Sequence, residues 1–122
     1  MKALIIDDSR TMRRLLASYL SEFTSDIVEA EDGVHALEQL QRHAPFDVAL
    51  VDWDMPRMNG LDFVKAVRAN PAHAAVKLMM VTSHNSMEEV GEALGEGAND
   101  FLMKPMTGEM VIDKLRFLGV VE

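Results

Sequence analysis

Several polar residues stand directly behind short apolar runs. Asp7 and Asp8 follow residues 3–6, Asp52 follows 48–51, Thr82 follows 78–81 and Lys104 follows 100–103. Brought together, these side chains suit one chemistry. Three carboxylates in one place repel each other, and one is driven toward protonation unless positive charge intervenes. A hard cation and the Lys104 ammonium would supply it. Magnesium takes oxygen ligands, keeps several waters and often sits beside phosphate oxygens; manganese is a plausible substitute. A carboxylate can attack phosphorus and form an acyl phosphate. The cation and Lys104 would then offset charge in the transition state, and Thr82 would donate a hydrogen bond to a phosphoryl oxygen.

The elements that must position these groups alternate along the chain. Short apolar runs at 3–6, 27–30, 48–51, 78–81 and 100–103 read as strands. Between them lie stretches with helical period. Ser9 can cap a first helix bearing Met12, Leu15, Leu16, Tyr19, Leu20 and Phe23. Val34, Leu37 and Leu40 follow the break at Asp32-Gly33. Leu61, Phe63, Val64 and Val67 follow the Asn59-Gly60 turn, and Asn70-Pro71 closes that helix. Met87, Val90 and Leu94 mark a fourth helix; Thr107 caps a fifth with Met110, Val111, Leu115 and Leu118. Five βα units predict an α/β, flavodoxin-like (βα)5 doubly wound parallel sheet in the order 2-1-3-4-5. Parallel strands share a direction, so their carboxyl ends share one edge. Open α/β sheets bind ligands there, at the switch point between strands one and three.

Composition narrows the function classes. The chain has 122 residues, 48% hydrophobic and 26% charged, which predicts a single domain over 1–122 with a real core. With no cysteine it has neither a disulfide framework nor a thiolate metal site. No apolar stretch approaches the roughly 20 residues of a spanning helix, and the start is too soon acidic for a signal peptide. The expectation is a cytoplasmic protein with no membrane role. A net charge of −8 argues against nucleic acid, which needs a basic face. Arg10, Arg13 and Arg14 are explained by a solvated helix face.

Each singled-out residue has a plainer reading. Asp7-Asp8 could merely cap the first helix, Lys104 could be a surface lysine, Thr82 an ordinary cap and Phe101 plain core. The coincidence of all of them on one sheet edge favours the chemical reading for the polar groups. The ten methionines read as flexible core filler, and His35, His43, His73 and His84 show no ligand spacing. In the fourth helix, Gly91 and Gly95 each cost about 1 kcal/mol against alanine, and Gly97 fits a C-terminal cap. That helix should be the most mobile of the five, with Glu88, Glu89, Glu92 and Glu96 on its exposed side.

The motifs in order are Asp7-Asp8-Ser9-Arg10, Glu31-Asp32-Gly33, residues 52–60 from Asp52-Trp53-Asp54 to Asn59-Gly60, Val81-Thr82-Ser83, residues 97–101 and Lys104-Pro105. Together they resemble the response-regulator receiver family, above all its stand-alone CheY-type chemotaxis regulators, over essentially the whole chain. The resemblance implies Asp52 as phosphoacceptor. It implies that Asp7 and Asp8 position Mg2+, with Asp8 the direct ligand and Asp7 acting mainly through water, and that the Asp54 backbone carbonyl is a third ligand. Thr82 and Lys104 match the switch hydroxyl and the phosphate-pairing lysine. Phe101 matches the aromatic that turns inward on phosphorylation, and Lys104-Pro105 matches the family's cis peptide. Phe101 replaces the tyrosine of many chemotaxis members, and Met106 stands where phenylalanine is frequent. Asp54 and His84, two residues beyond Asp52 and Thr82, occupy positions where members tune hydrolysis of the acyl phosphate.

The expected function is that of a two-component response regulator. It takes phosphate from a histidine kinase, catalyses its own phosphorylation and dephosphorylation, and switches binding to a downstream protein, in chemotaxis by resemblance. That target would meet the fourth helix, fifth strand and fifth helix. The protein would act as a monomer or a phosphorylation-dependent dimer, without an output domain. The alternatives are a stand-alone receiver serving as relay intermediate or phosphate sink in another pathway, and an aspartyl-phosphate-type phosphatase suggested by Asp52-Trp53-Asp54. A contact-only pseudo-receiver would normally lack a key residue. A nucleotide- or flavin-binding domain lacks support because no glycine-rich loop follows the first strand.

Overall fold

The first strand, β1 (Ala3–Ile6), is buried along its whole length, as is β3 (Val48–Asp52). Such strands are continuous apolar runs because both of their faces are covered. The computed structural model describes residues 1–83 and 87–121. In it, β2 (Ile27–Ala30), β4 (Lys77–Thr82) and β5 (Asp100–Met103) complete a five-stranded parallel sheet in the order β2-β1-β3-β4-β5. This is the predicted flavodoxin-like order.

Period-two alternation splits the strands between two cores. Leu4, Ile6, Ala49, Val51, Leu78 and Met80 face one layer, where they meet Phe63, Val64 and Val67. Ala3, Ile5, Val48, Leu50, Met79 and Val81 face the other, where they meet Leu16, Leu20, Val111 and Leu115. The helices that cover them are α1 (Arg10–Leu20), α2 (Gly33–His43), α3 (Gly60–Arg68), α4 (Met87–Gly95) and α5 (Gly108–Phe117). A 3-10 turn, Pro71–His73, follows α3.

Among the described residues, four α-helices start on a side-chain cap. Ser9, Asp32, Asn59 and Thr107 accept from the backbone N–H of Met12, His35, Asp62 and Met110, satisfying one orphan donor of each first turn. Gly97, just beyond α4, has φ +119, and a Cβ there would lie 2.6 Å from Cγ of Arg68. The Arg68 guanidinium donates to the carbonyls of Gly97, His73, Ala74 and Val76 and to Asn99 Oδ1. It ties the ends of α3 and α4 to the entry of β4, at the sheet edge opposite the carboxyl ends.

The helical faces are narrower than the apolar spacing predicts. Leu15, Met87, Leu94 and Met110 are exposed, Met87 by 73%. In α4 the inward pair is Val90 and Ala93, so Met87 and Leu94 flank the contact line instead of filling it. Phe23 lies beyond the end of α1 and is half-buried. A second cis peptide, Ala44-Pro45, accompanies Lys104-Pro105.

Candidate functional site

At the carboxyl edge, β1 runs directly into Asp7 and Asp8. The two differ in burial: Asp7 is 1% exposed, whereas Asp8 is open to solvent. Asp7 is locked in place by its neighbours. Its Oδ1 accepts from the Ser9 N–H at 2.9 Å, and its carbonyl accepts from Arg13 Nη1 at 2.7 Å. Arg13 also pairs with Glu29 at 2.9 Å. This corrects the solvated-face reading for Arg13, whose side chain is only 15% exposed, whereas Arg10 and Arg14 are exposed as that reading has them. The signal for Arg13 was its position four residues after Ser9, beside the buried stripe of α1.

Asp52 ends β3, next to β1, and is buried. One carboxylate oxygen from each of Asp7, Asp8 and Asp52 lies within 4.8 Å of the other two. Thr82 ends β4 and is buried, one residue past the partner of Asp52 in the ladder. Beyond β5, the Lys104 N–H donates to the Thr82 carbonyl at 2.7 Å, which brings the lysine back over the edge. Lys104 Nζ then reaches Asp52 Oδ1 at 3.1 Å and Asp7 Oδ2 at 3.4 Å. Asp7 and Asp52, 97 and 52 positions before Lys104 in sequence, thus share its ammonium.

The electrostatics follow from this crowding. Burial, then the Asp7 charge, push the Asp52 carboxyl up to about 6, while Lys104 opposes them and Asp8 adds to them. Burial alone would lower Lys104, but the Asp52 and Asp7 carboxylates outweigh it and hold the ammonium above its ordinary value. The cluster offers hard anionic oxygens with one opening to solvent at Asp8, a donor set suited to a small divalent cation.

Other sequence candidates lie around this centre. Asp54 is exposed on the loop after β3. Phe101 is half-buried against the α2–α3 core, with Lys114 Nζ 5.6 Å from its ring centroid. Lys114 also grips both oxygens of Asp100. The Lys104-Pro105 bond is cis. His84 lies outside the described residues.

A family model for the response regulator receiver domain matches residues 3–116. The chain belongs to the response-regulator receiver family. Among its relatives are chemotaxis protein CheY1 of Helicobacter pylori, 43% identical over 94% of both chains, and a CheY homolog of Campylobacter jejuni, 40% identical over 94% of this chain and 89% of that one. The solved structure of chemotaxis response regulator CheY4 from Vibrio cholerae superposes with a TM-score of 0.88 at 34% identity, covering 96% of this chain and 97% of that one. The protein is therefore a two-component response regulator. No described helix is long and apolar enough to cross a membrane.

Proposed function

We propose that residues 1–122 act as a single receiver unit that accepts a phosphoryl group on Asp52 from the phosphohistidine of a histidine kinase. The observation that carries this reading is the Lys104 ammonium shared between Asp52 and Asp7, with Asp8 alongside. In the transfer, an Asp52 carboxylate oxygen forms a bond to phosphorus as the phosphorus–nitrogen bond of the donor imidazole breaks. Water later attacks the acyl phosphate, releasing inorganic phosphate and restoring the carboxylate. Asp52 attacks as the carboxylate, so positive charge around it must hold it ionised. Bound Mg2+ supplies Lewis-acid neutralisation of phosphoryl oxygens; Asp8, Asp7, Asp52 and the Asp54 carbonyl are the groups that would hold it. Lys104 stabilises charge on the transferred group, and the hydroxyl of Thr82, buried at the end of β4, donates to it.

The chemotaxis proteins among the relatives support a cytoplasmic chemotaxis role, with output through a separate protein that docks on the face formed by α4, β5 and α5. Phe101, at the edge of that face, is the residue proposed to couple it to Thr82. The acceptor reading is tested with acetyl phosphate, with and without Mg2+, followed by intact mass. The expected result is a metal-dependent gain of one phosphoryl group that Asp52→Asn abolishes. Phosphorylation that persists in Asp52→Asn would overturn the assignment.

A further inference from the structure

The Glu31-Asp32-Gly33 segment takes no part in the chemistry above, yet Asp32 is among the few buried charged residues. One carboxylate oxygen, Oδ1, caps α2 through the His35 N–H at 2.8 Å. The other, Oδ2, accepts from Arg57 at 2.8 Å through Nε and at 2.6 Å through Nη2. Arg57 belongs to the loop between β3 and α3, three residues after Asp54. It is the one non-glycine residue with positive φ, at 66°, among the described residues. A second contact joins the same two segments: Met58 fills the space above Gly33, where a Cβ would lie 2.8 Å from its Cγ. The loop is closed at its base by the Gly60 N–H donating to the Trp53 carbonyl.

Sheet order gives this interlock its meaning. The strand between β2 and β3 is β1, so the Arg57–Asp32 pair spans the end of the strand that delivers Asp7 and Asp8. The span is anchored on one side by a helix cap and on the other by the loop that presents the Asp54 carbonyl. We infer that Arg57 and Asp32 are positioning residues for the cation site, and that their ion pair sets cation affinity by fixing the loop after β3. A left-handed arginine is disfavoured by its Cβ, and the grip of Asp32 on its guanidinium holds it there. Residues that hold the segment presenting a ligand tune metal affinity as outer partners of the ligands do.

The inference rests on the Mg2+ reading of the acidic cluster, and the test separates the two. Trp53, the single tryptophan, follows Asp52 directly and serves as the probe. Mg2+ is titrated into the full chain while Trp53 fluorescence is followed, for wild type, Asp32→Asn, Arg57→Asn and the double variant. Asparagine keeps the cap at position 32 and tolerates left-handed φ at position 57, so each change removes chiefly the ion pair. Positioning predicts that both single variants weaken Mg2+ binding, by roughly two- to fivefold, and that the double variant is no weaker than the worse single one. Amide exchange over residues 54–60 should quicken in both.

A through-space effect predicts the opposite pattern. Losing the Arg57 charge would tighten cation binding, while losing the Asp32 charge would weaken it. Opposite signs, or unchanged midpoints in both variants, overturn the inference and leave the metal site standing. A merely structural role is excluded by melting the same proteins in EDTA: it would lower metal-free stability while leaving the Mg2+ midpoint fixed. A wild-type chain with no saturable Mg2+ response overturns both the site and the inference.

Discussion

Asp52 carries opposite demands on one carboxyl. The proposed transfer needs it ionised, whereas burial and the Asp7 charge favour its proton and lift it to about 6. In the unfolded chain the same group ionises near 3.8. The folded state therefore binds this proton more tightly, and above pH 6 the ionised group opposes folding. Removing the charge should stabilise the metal-free protein. Asp52→Asn is expected to raise unfolding free energy by about 1–3 kcal/mol at pH 7.5 in EDTA, read from urea denaturation. Saturating Mg2+ should narrow the gap, since a ligand that binds only the native state stabilises wild type. An Asp52→Asn protein less stable than wild type in EDTA would show that Lys104 already neutralises the cluster. The residues at strand ends were legible in sequence because an apolar run that stops on a charged residue marks both the strand and its edge. Arg57, Arg13 and Arg68 were not. A long side chain chooses its partner by three-dimensional reach, and no spacing rule connects Arg57 to Asp32 or Arg68 to the carbonyl of Gly97.

Among the five helices, α4 combines two glycines with a buried face of small residues. It buries only Val90 and Ala93, and it contains two glycines around which an added Cβ would meet nothing within 4 Å. Nothing in the packing therefore requires glycine at position 91. Gly91→Ala is expected to raise stability by about 0.5–1 kcal/mol, visible as a higher urea midpoint at unchanged slope. Amides of α4 should exchange with solvent before those of α1 in wild type, and the substitution should narrow that difference. Equal protection of the two helices would remove the case for α4 as the soft element. The five strands and five helices were legible from periodicity, to within about a residue for the strands. Burial was less so. An apolar residue such as Met87 or Leu15 fits a helical stripe whether or not the neighbouring layer reaches it, and only the assembled sheet fixes how wide that layer is.

For the molecule as a whole, pH sums these local terms. Burial alone would raise Asp32, but the His35 N–H and the Arg57 guanidinium outweigh it and hold the carboxyl below 3.8. Its contribution is complete above 3.8 and is lost as pH falls through the lowered folded value. Asp52 works the other way, so stability is gained as pH falls through 6 toward 3.8. Lys104, raised above 10.5, contributes fully below that value and loses its contribution as pH rises through its folded pKa. Metal-free protein is thus expected to be most stable near about pH 4, and urea midpoints in EDTA should fall from about pH 4 to about pH 7 and then level off. The same series in Asp52→Asn should lose that slope. The shared ammonium also has a consequence for how the protein is made. Translation proceeds from the amino end, and domains generally begin to fold as they are synthesised. Asp7, Asp8 and Asp52 leave the ribosome before Lys104, which trails Asp7 by 97 residues and Asp52 by 52. A nascent chain that has not yet released β5 holds the acidic trio without its cation, so the growing polypeptide lacks the charge balance of the receiver until the final strand is delivered.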